Sequence, residues 1–298
     1  MIKEIGQILY LAAPILMTGL SVGVVFKAGL FNIGVAGQYT LGLYCALAAA
    51  FYLALPPGIH CLVCVAAGLC GGLLWGILPG ALKAWKGVNE VISAIMFNYI
   101  AMYLVDMWVQ KSATMYEASR ARTRYLPQTA MLPALGIQGS NANIAIWIAI
   151  AMAVLLGIVL GKTVLGYELK AVGLNVPAAL AAGIKVKKIT VGATAFGGAL
   201  AGLGGAFAIL APAVIPGSSV TYEPINVIAA TGFHGIAAAL LGGTNPLWII
   251  VSSLFLAVLR RGGRVATLYG YRLELVDILI AVILFMAAFV TWKKRRRS

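Results

Sequence analysis

Few residues in this chain of 298 could do chemistry by type and spacing. Cys61-x-x-Cys64 has the separation of a metal or redox pair, but no second pair and no adjacent His or Asp cluster completes a site. Both read as small apolar helix residues, as do Cys45 and Cys70, while His60 and His234 stand isolated. Gly157-x-x-x-Gly161-Lys162-Thr163 imitates a phosphate-binding loop, yet that motif needs four residues between its glycines and a strand leading into a helix. Here Leu156 occupies the required position and the stretch ends a hydrophobic run, so any ATP must be hydrolysed by another subunit. Asp106, Glu274 and Asp277 are the acids that could carry ion coupling, and all lie near the ends of apolar runs. No cofactor or metal is expected, and no clustered acids, His or Cys suggest an enzyme.

The setting of these residues is hydrocarbon-compatible. The chain is 62% hydrophobic and 10% charged, with a mean hydropathy near +1. Apolar runs extend from Gly6 to Phe26, Leu30 to Leu55, Ile59 to Leu82, Val91 to Val109, Ile144 to Leu160, Ile189 to Ala211, Val227 to Leu241, Leu247 to Leu259 and Leu275 to Trp292. Most can cross roughly 30 Å of hydrocarbon at about 1.5 Å per residue. The expectation is an all-α polytopic membrane protein with about eight or nine transmembrane or re-entrant helices. It forms one membrane domain over 1–298: a first half 1–161, a central loop 162–188, a second half 189–292 and a basic tail 293–298. No cleavable signal pattern stands out in the first run.

The net charge of +14 sits where the chain leaves the apolar runs, and so reads as orientation. The Lys293–Arg297 tail predicts a cytoplasmic C-terminus at an inner membrane. Counting runs singly puts Lys83, Lys86 and the central loop on the same side and Met1 outside. Trp85, Trp108, Trp147, Trp248 and Trp292 lie near run ends, as an interfacial aromatic belt requires.

The central loop predicts two very short helices. In the second, Asn175 is placed to cap free N–H groups, Pro177 lies in the first turn and Gly183 ends the helix. In the first half, Asn32 and Gln38 interrupt an apolar stretch together with Gly34 and Gly37. This predicts a discontinuous helix lining a pathway, or alternatively a polar clamp between helices. Asn89, Glu90 and Asn98 are further pathway candidates, and Asp106 belongs at the outer interface or in a wet cavity. Gly19-x-x-x-Gly23, Gly68, Gly72, Gly76 and Gly80, and Gly192 to Gly205 predict closely packed helices. Arg120, Arg122 and Arg124 fall on the outer side against the usual charge bias, which an acidic docking partner would explain. The runs ending at Leu241 and Leu259 are short and read as a broken pair near the pathway. Arg260, Arg261, Arg264 and Arg272 are expected in a loop that lies outside or folds back onto the protein, with Arg272 near Glu274 or Asp277.

Four ordered motifs resemble one family. They are Phe31-Asn-Ile-Gly-Val-Ala-Gly-Gln38, Asn89-Glu-Val-Ile-x-x-Ile-Met-x-Asn-Tyr-Ile100, Gly166-Tyr-Glu-Leu-x-Ala-Val-Gly173 with Asn175 and Gly183-Ile184, and Gly232-Phe-x-Gly-Ile-Ala-x-Ala-Leu-Leu-Gly242. Together they resemble permease subunits of ABC importers in the branch serving nucleosides and simple sugars, related to ribose and branched-chain amino acid permeases. The resemblance implies a second permease, often non-identical, a cytoplasmic ATPase and an extracytoplasmic solute-binding lipoprotein. It carries Glu168, Lys170, Ala171, Gly173, Asn175, Ala178, Ala179 and Gly183 over as the surface touching the ATPase, and it adds Phe233 to the pathway. Similar permeases usually have an acidic residue where Ala36 stands, and longer relatives carry a further span before this chain's start, whose absence would explain an outside N-terminus. The expected function is ATP-driven import of nucleosides, or of simple sugars. The alternative is an ion-coupled secondary transporter of a small polar solute.

Overall fold

The computed structural model describes residues 2–214, 218–272 and 274–295, and within the last helix the side chains of 275–283, 285 and 286. Its helices are α1 (Ile2–Lys27), α2 (Val35–Tyr52), α3 (Ile59–Lys86), α4 (Glu90–Lys111), α5 (Ala145–Lys162), α6 (Val164–Leu174), α7 (Val176–Ala181), α8 (Val186–Ile209), α9 (Ala230–Leu241), α10 (Pro246–Ala266) and α11 (Glu274–Arg295). An antiparallel ribbon pairs β1 (Tyr116–Glu117) with β2 (Arg122–Thr123). The expected all-α membrane architecture is therefore present. Among the described residues, α1, α3, α4, α5 and α8 are long and apolar enough to cross a membrane. The 12 residues of α9 are too few, as the short run ending at Leu241 implies.

Local signals set the helix ends. The Asn89 carboxamide accepts from the Val91 N–H at 2.9 Å to open α4, and Asn245 accepts from the Leu247 N–H at 3.1 Å to open α10, with Pro246 in its first turn. Gly87, at φ +66°, closes α3 in the left-handed conformation.

The centre of the bundle is α8, enclosed by α1, α2 and α3. Lipid tails are as apolar as leucine, so helices in a membrane associate by close packing rather than by escape from solvent. Here glycines bring backbones into direct contact. A Cβ on Gly72 would overlap the Gly198 carbonyl, one on Gly202 the Gly68 carbonyl, and one on Gly42 the Gly202 Cα. A Cβ on Gly19 or Gly23 would lie 2.9 Å from the side chain of Ile249, so that pair seats α10 on α1. Gly192, predicted with the packing glycines, is the exception: nothing lies within 4 Å of its would-be Cβ.

Two expectations need correction. Arg260, Arg261 and Arg264 are helical, because α10 runs on to Ala266 instead of stopping near Leu259. Acids on other helices receive the first two. Arg261 Nη2 donates to Glu4 Oε1 at 2.9 Å, while Arg260 bonds His234 and lies 3.3 Å from Asp277 Oδ1. Arg272 is exposed beyond the helix, and the Glu274 side chain lies outside the described residues. Asp106, in the last turns of α4, is buried and paired instead of solvated: it is 2% exposed and accepts from the Tyr222 hydroxyl at 2.5 Å and the Asn226 N–H at 2.7 Å. Burial and this carboxylate push the Tyr222 phenol far above its usual range, so its hydroxyl remains a donor. Asp106 thus anchors the segment leading into α9.

Two outcomes follow from this packing. Gly72→Ala should lower the thermal midpoint of the detergent-solubilised protein by an overpacking cost of about 1–3 kcal/mol, whereas Gly192→Ala should not lower it. Asp106→Ala removes the acceptor from the half-buried Tyr222 hydroxyl and the Asn226 N–H, a cost of about 1 kcal/mol per lost bond, and limited proteolysis should then cut between 210 and 229 sooner than in the parent.

Candidate functional site

The central loop folds into two capped helices at one end of the bundle. The Thr163 hydroxyl accepts from the Gly166 N–H at 3.3 Å to open α6, and Asn175 Oδ1 accepts from the Ala178 N–H at 3.0 Å to open α7. Gly183, at φ +79°, follows α7 in the backbone region that favours glycine. At 11 residues α6 is longer than the very short helix expected, whereas α7 has six. Of the eight residues predicted to meet an ATPase, Asn175, Ala178 and Gly183 are exposed, and Glu168, Lys170, Ala171 and Gly173 are half-buried.

Two of these residues turn inward. Ala179 is 3% exposed, and a Cβ on Gly173 would overlap the Lys27 carbonyl. Gly173 instead braces α6 on the turn after α1, where a Cβ on Gly29 would lie 2.9 Å from the Gly173 Cα. The outward face carries Val164, Leu165, Tyr167, Leu174 (87% exposed) and Leu180. Apolar groups exposed together in this way leave these helices with a sizeable apolar patch uncovered by the chain itself.

The turn braced by Gly173 leads to the polar residues of the first half. Asn32 Nδ2 donates to Gln38 Oε1 at 2.9 Å and to Ser21 Oγ at 3.1 Å, and Gln38 Nε2 returns a bond to Asn32 Oδ1 at 3.3 Å. Asn98, from α4, accepts from the Gly37 N–H at 2.7 Å and donates to the Ile33 carbonyl at 3.0 Å. All three side chains are buried and spend their polar atoms on the break between α1 and α2, the geometry of the clamp. Asn89 is the α4 cap, Glu90 pairs with Lys83 at 2.8 Å, and Phe233 stands 41% exposed on α9. Ala36 is fully buried, and a Cβ on Gly232 would meet its Cβ at 2.7 Å, so α9 closes over the position where similar permeases usually carry an acid.

The predicted docking arginines lie on the ribbon at the end of the bundle opposite α6 and α7. Arg120 is 3.5 Å from Glu117, and Arg122 donates to the Tyr125 hydroxyl at 3.0 Å while lying over that ring. Arg124 is exposed, with its backbone N–H bonded to the Met115 carbonyl at 2.8 Å.

Sequence reading missed a polar cavity of about 450 Å³ bounded by α1, α2, α9 and α10. Tyr10, Tyr39, Thr231, Arg260, Arg261 and Arg264 line it, and Gln7 closes one side by donating to Asn141 at 2.9 Å. Its residues come from positions more than 200 apart, so no local spacing could reveal it. The available signal was three arginines continuing an apolar run, which requires a reason for charge in that setting.

Comparison with known proteins accords with this architecture. The family described as branched-chain amino acid transport system / permease component matches residues 4–288. A nucleoside ABC transporter permease protein of Lactococcus lactis subsp. cremoris is 33% identical, over 96% of this chain and 79% of that protein. A guanosine ABC transporter permease protein of Bacillus subtilis is 32% identical, over 96% of this chain and 81% of its own. A glucose ABC transporter permease protein of Haloferax volcanii is 31% identical, over 97% and 77%. In fold, the chain is similar to an inward-facing ABC transporter assigned to the metal-chelate type, with a TM-score of 0.53 at 14% identity over 96% of this chain and 85% of that one. A match over nearly the whole length, on a bundle of apolar helices with a capped helical pair between its halves, places this multi-pass membrane protein in the branched-chain amino acid transport system permease family, as a permease subunit of an ABC importer.

Proposed function

We propose that this permease moves nucleosides across the inner membrane, driven by a separate cytoplasmic ATPase that docks on α6 and α7. The observation that carries the docking assignment is the apolar outward face of those helices, from Val164 to Leu180, on a pair whose inner side is braced by Gly173. Nucleosides are the solute favoured by the names of two relatives at 33% and 32% identity, and a simple sugar comes second through the third. A second, non-identical permease completes the pathway, and an extracytoplasmic lipoprotein delivers the solute to the end carrying Arg120, Arg122 and Arg124. The chain end after α11 then lies in the cytoplasm and Met1 outside.

In this mechanism, ATP-driven closure of the ATPase displaces α6 and α7. Gly173 bears directly on the Gly29 backbone, so displacement passes to the break between α1 and α2. The Asn32–Gln38–Ser21 clamp and Asn98 hold that break as one unit, and the movement therefore reaches α1, α2 and α4 together. Asn89, Glu90 and Phe233 complete the set proposed to feel the passing solute.

Deleting the gene in the native host should abolish ATP-dependent uptake of radiolabelled nucleosides and leave ribose and glucose uptake intact. Loss of sugar uptake alone would transfer the reading to sugars. Collapse of uptake on dissipating the proton gradient at constant ATP would overturn ATP coupling. Purified in mild detergent, the parent should carry an ATPase that Leu174→Asp with Leu180→Asp removes. Gly173→Val should keep the ATPase but reduce uptake by about tenfold, the equivalent of ~1.4 kcal/mol of misplaced packing. Normal uptake in that variant would rule out Gly173 as the transmitting contact.

A further inference from the structure

We propose that the cavity between α1, α2, α9 and α10 is a solute site that reads the acceptor edge of a purine, with Arg264 as the reading residue. This rests on the nucleoside assignment above and adds to it a position and a chemistry. The cavity's 450 Å³ lies within the roughly 300–1,000 Å³ typical of small-molecule pockets. It extends from Gln7 and Asn141, at the end opposite α6 and α7, to Thr231 at the start of α9. Ala229 supplies no side-chain cap at the start of α9, and Thr231 of its first turn stands at the cavity wall.

The charges select the ligand. Glu4 engages Arg261 through both Nε and Nη2, and Asp277 takes Arg260 together with His234. Among the described residues Arg264 has no acid partner, so its guanidinium keeps its donors available at the cavity wall. Three arginines against two acids leave one uncompensated positive charge, too little for a phosphate dianion. A guanidinium fork fits two adjacent acceptors in a plane, and the O6 and N7 atoms of guanine or hypoxanthine present that pair. Adenine places a donor at the O6 position, which the fork repels. Tyr10 and Tyr39 add aromatic wall suited to a base.

The test uses the permease–ATPase complex in nanodiscs, without the solute-binding protein, and reads thermal midpoint against added nucleoside. Guanosine and inosine should raise the midpoint, while adenosine and 7-deazaguanosine, which lacks the N7 acceptor, should do so only at about tenfold or more higher concentration. Arg264→Gln and Arg264→Lys should both erase that preference, since lysine keeps the charge but not the fork. The 7-deazaguanosine comparison needs no variant, so it decides the matter even if the substitutions misfold. Equal shifts with guanosine and 7-deazaguanosine, a shift with GMP or inorganic phosphate instead, or an unchanged preference in a folded Arg264→Gln would each overturn the site. If intact cells import nucleosides while the complex shows no guanosine shift, this site fails and the nucleoside reading stands. If cells import none, both fall.

Discussion

Direct backbone contact between α8 and its neighbours is the constraint on which the other features depend. In hydrocarbon, a helix gains little by leaving lipid for another apolar surface, so its place must be set by fit. Gly72 against Gly198, Gly68 against Gly202 and Gly42 against Gly202 provide that fit at two interfaces of one helix. Because α8 begins five residues after α7 ends, locating α8 also locates the α6–α7 pair. Because the same helix seats α2, it fixes Ala36, and through Ala36 the start of α9 at Gly232.

Polar groups are confined by a complementary rule. Several of the charges and carboxamides described within the bundle join elements distant in sequence: Asp106 with Tyr222, Glu4 with Arg261, Asn98 with the α1–α2 break. An isolated charge at mid-membrane costs about 3 kcal/mol on insertion scales, so each pairing also dictates which elements must be neighbours. The short helix α9 is a case in point. The extended segment before it has no helical ladder, and Asp106 supplies one of its acceptors through the Asn226 N–H.

Helix positions, the short helix α9, the caps at Asn89 and Asn175 and most of the glycine spacings were legible because each is local, a matter of residue type within a turn or two. The α10 boundary was not legible: its arginines look like loop residues until Glu4, 257 positions from Arg261, is brought beside it. The inward turn of Gly173 and Ala179 was hidden for the same reason. A motif shared with similar permeases marks residues that matter, without distinguishing those facing a partner from those facing the chain's own backbone. The polar cavity needs four helices to exist at all, and no window of sequence contains them.

The contact of Gly29 with Gly173 carries a mechanical consequence. Side chains at a joint absorb displacement by changing rotamer, which gives the joint slack. Here main chain bears on main chain with nothing between. Such a joint is stiff: under the docking proposed above, a push on α6 would reach the end of α1 with little of it lost to side-chain rearrangement.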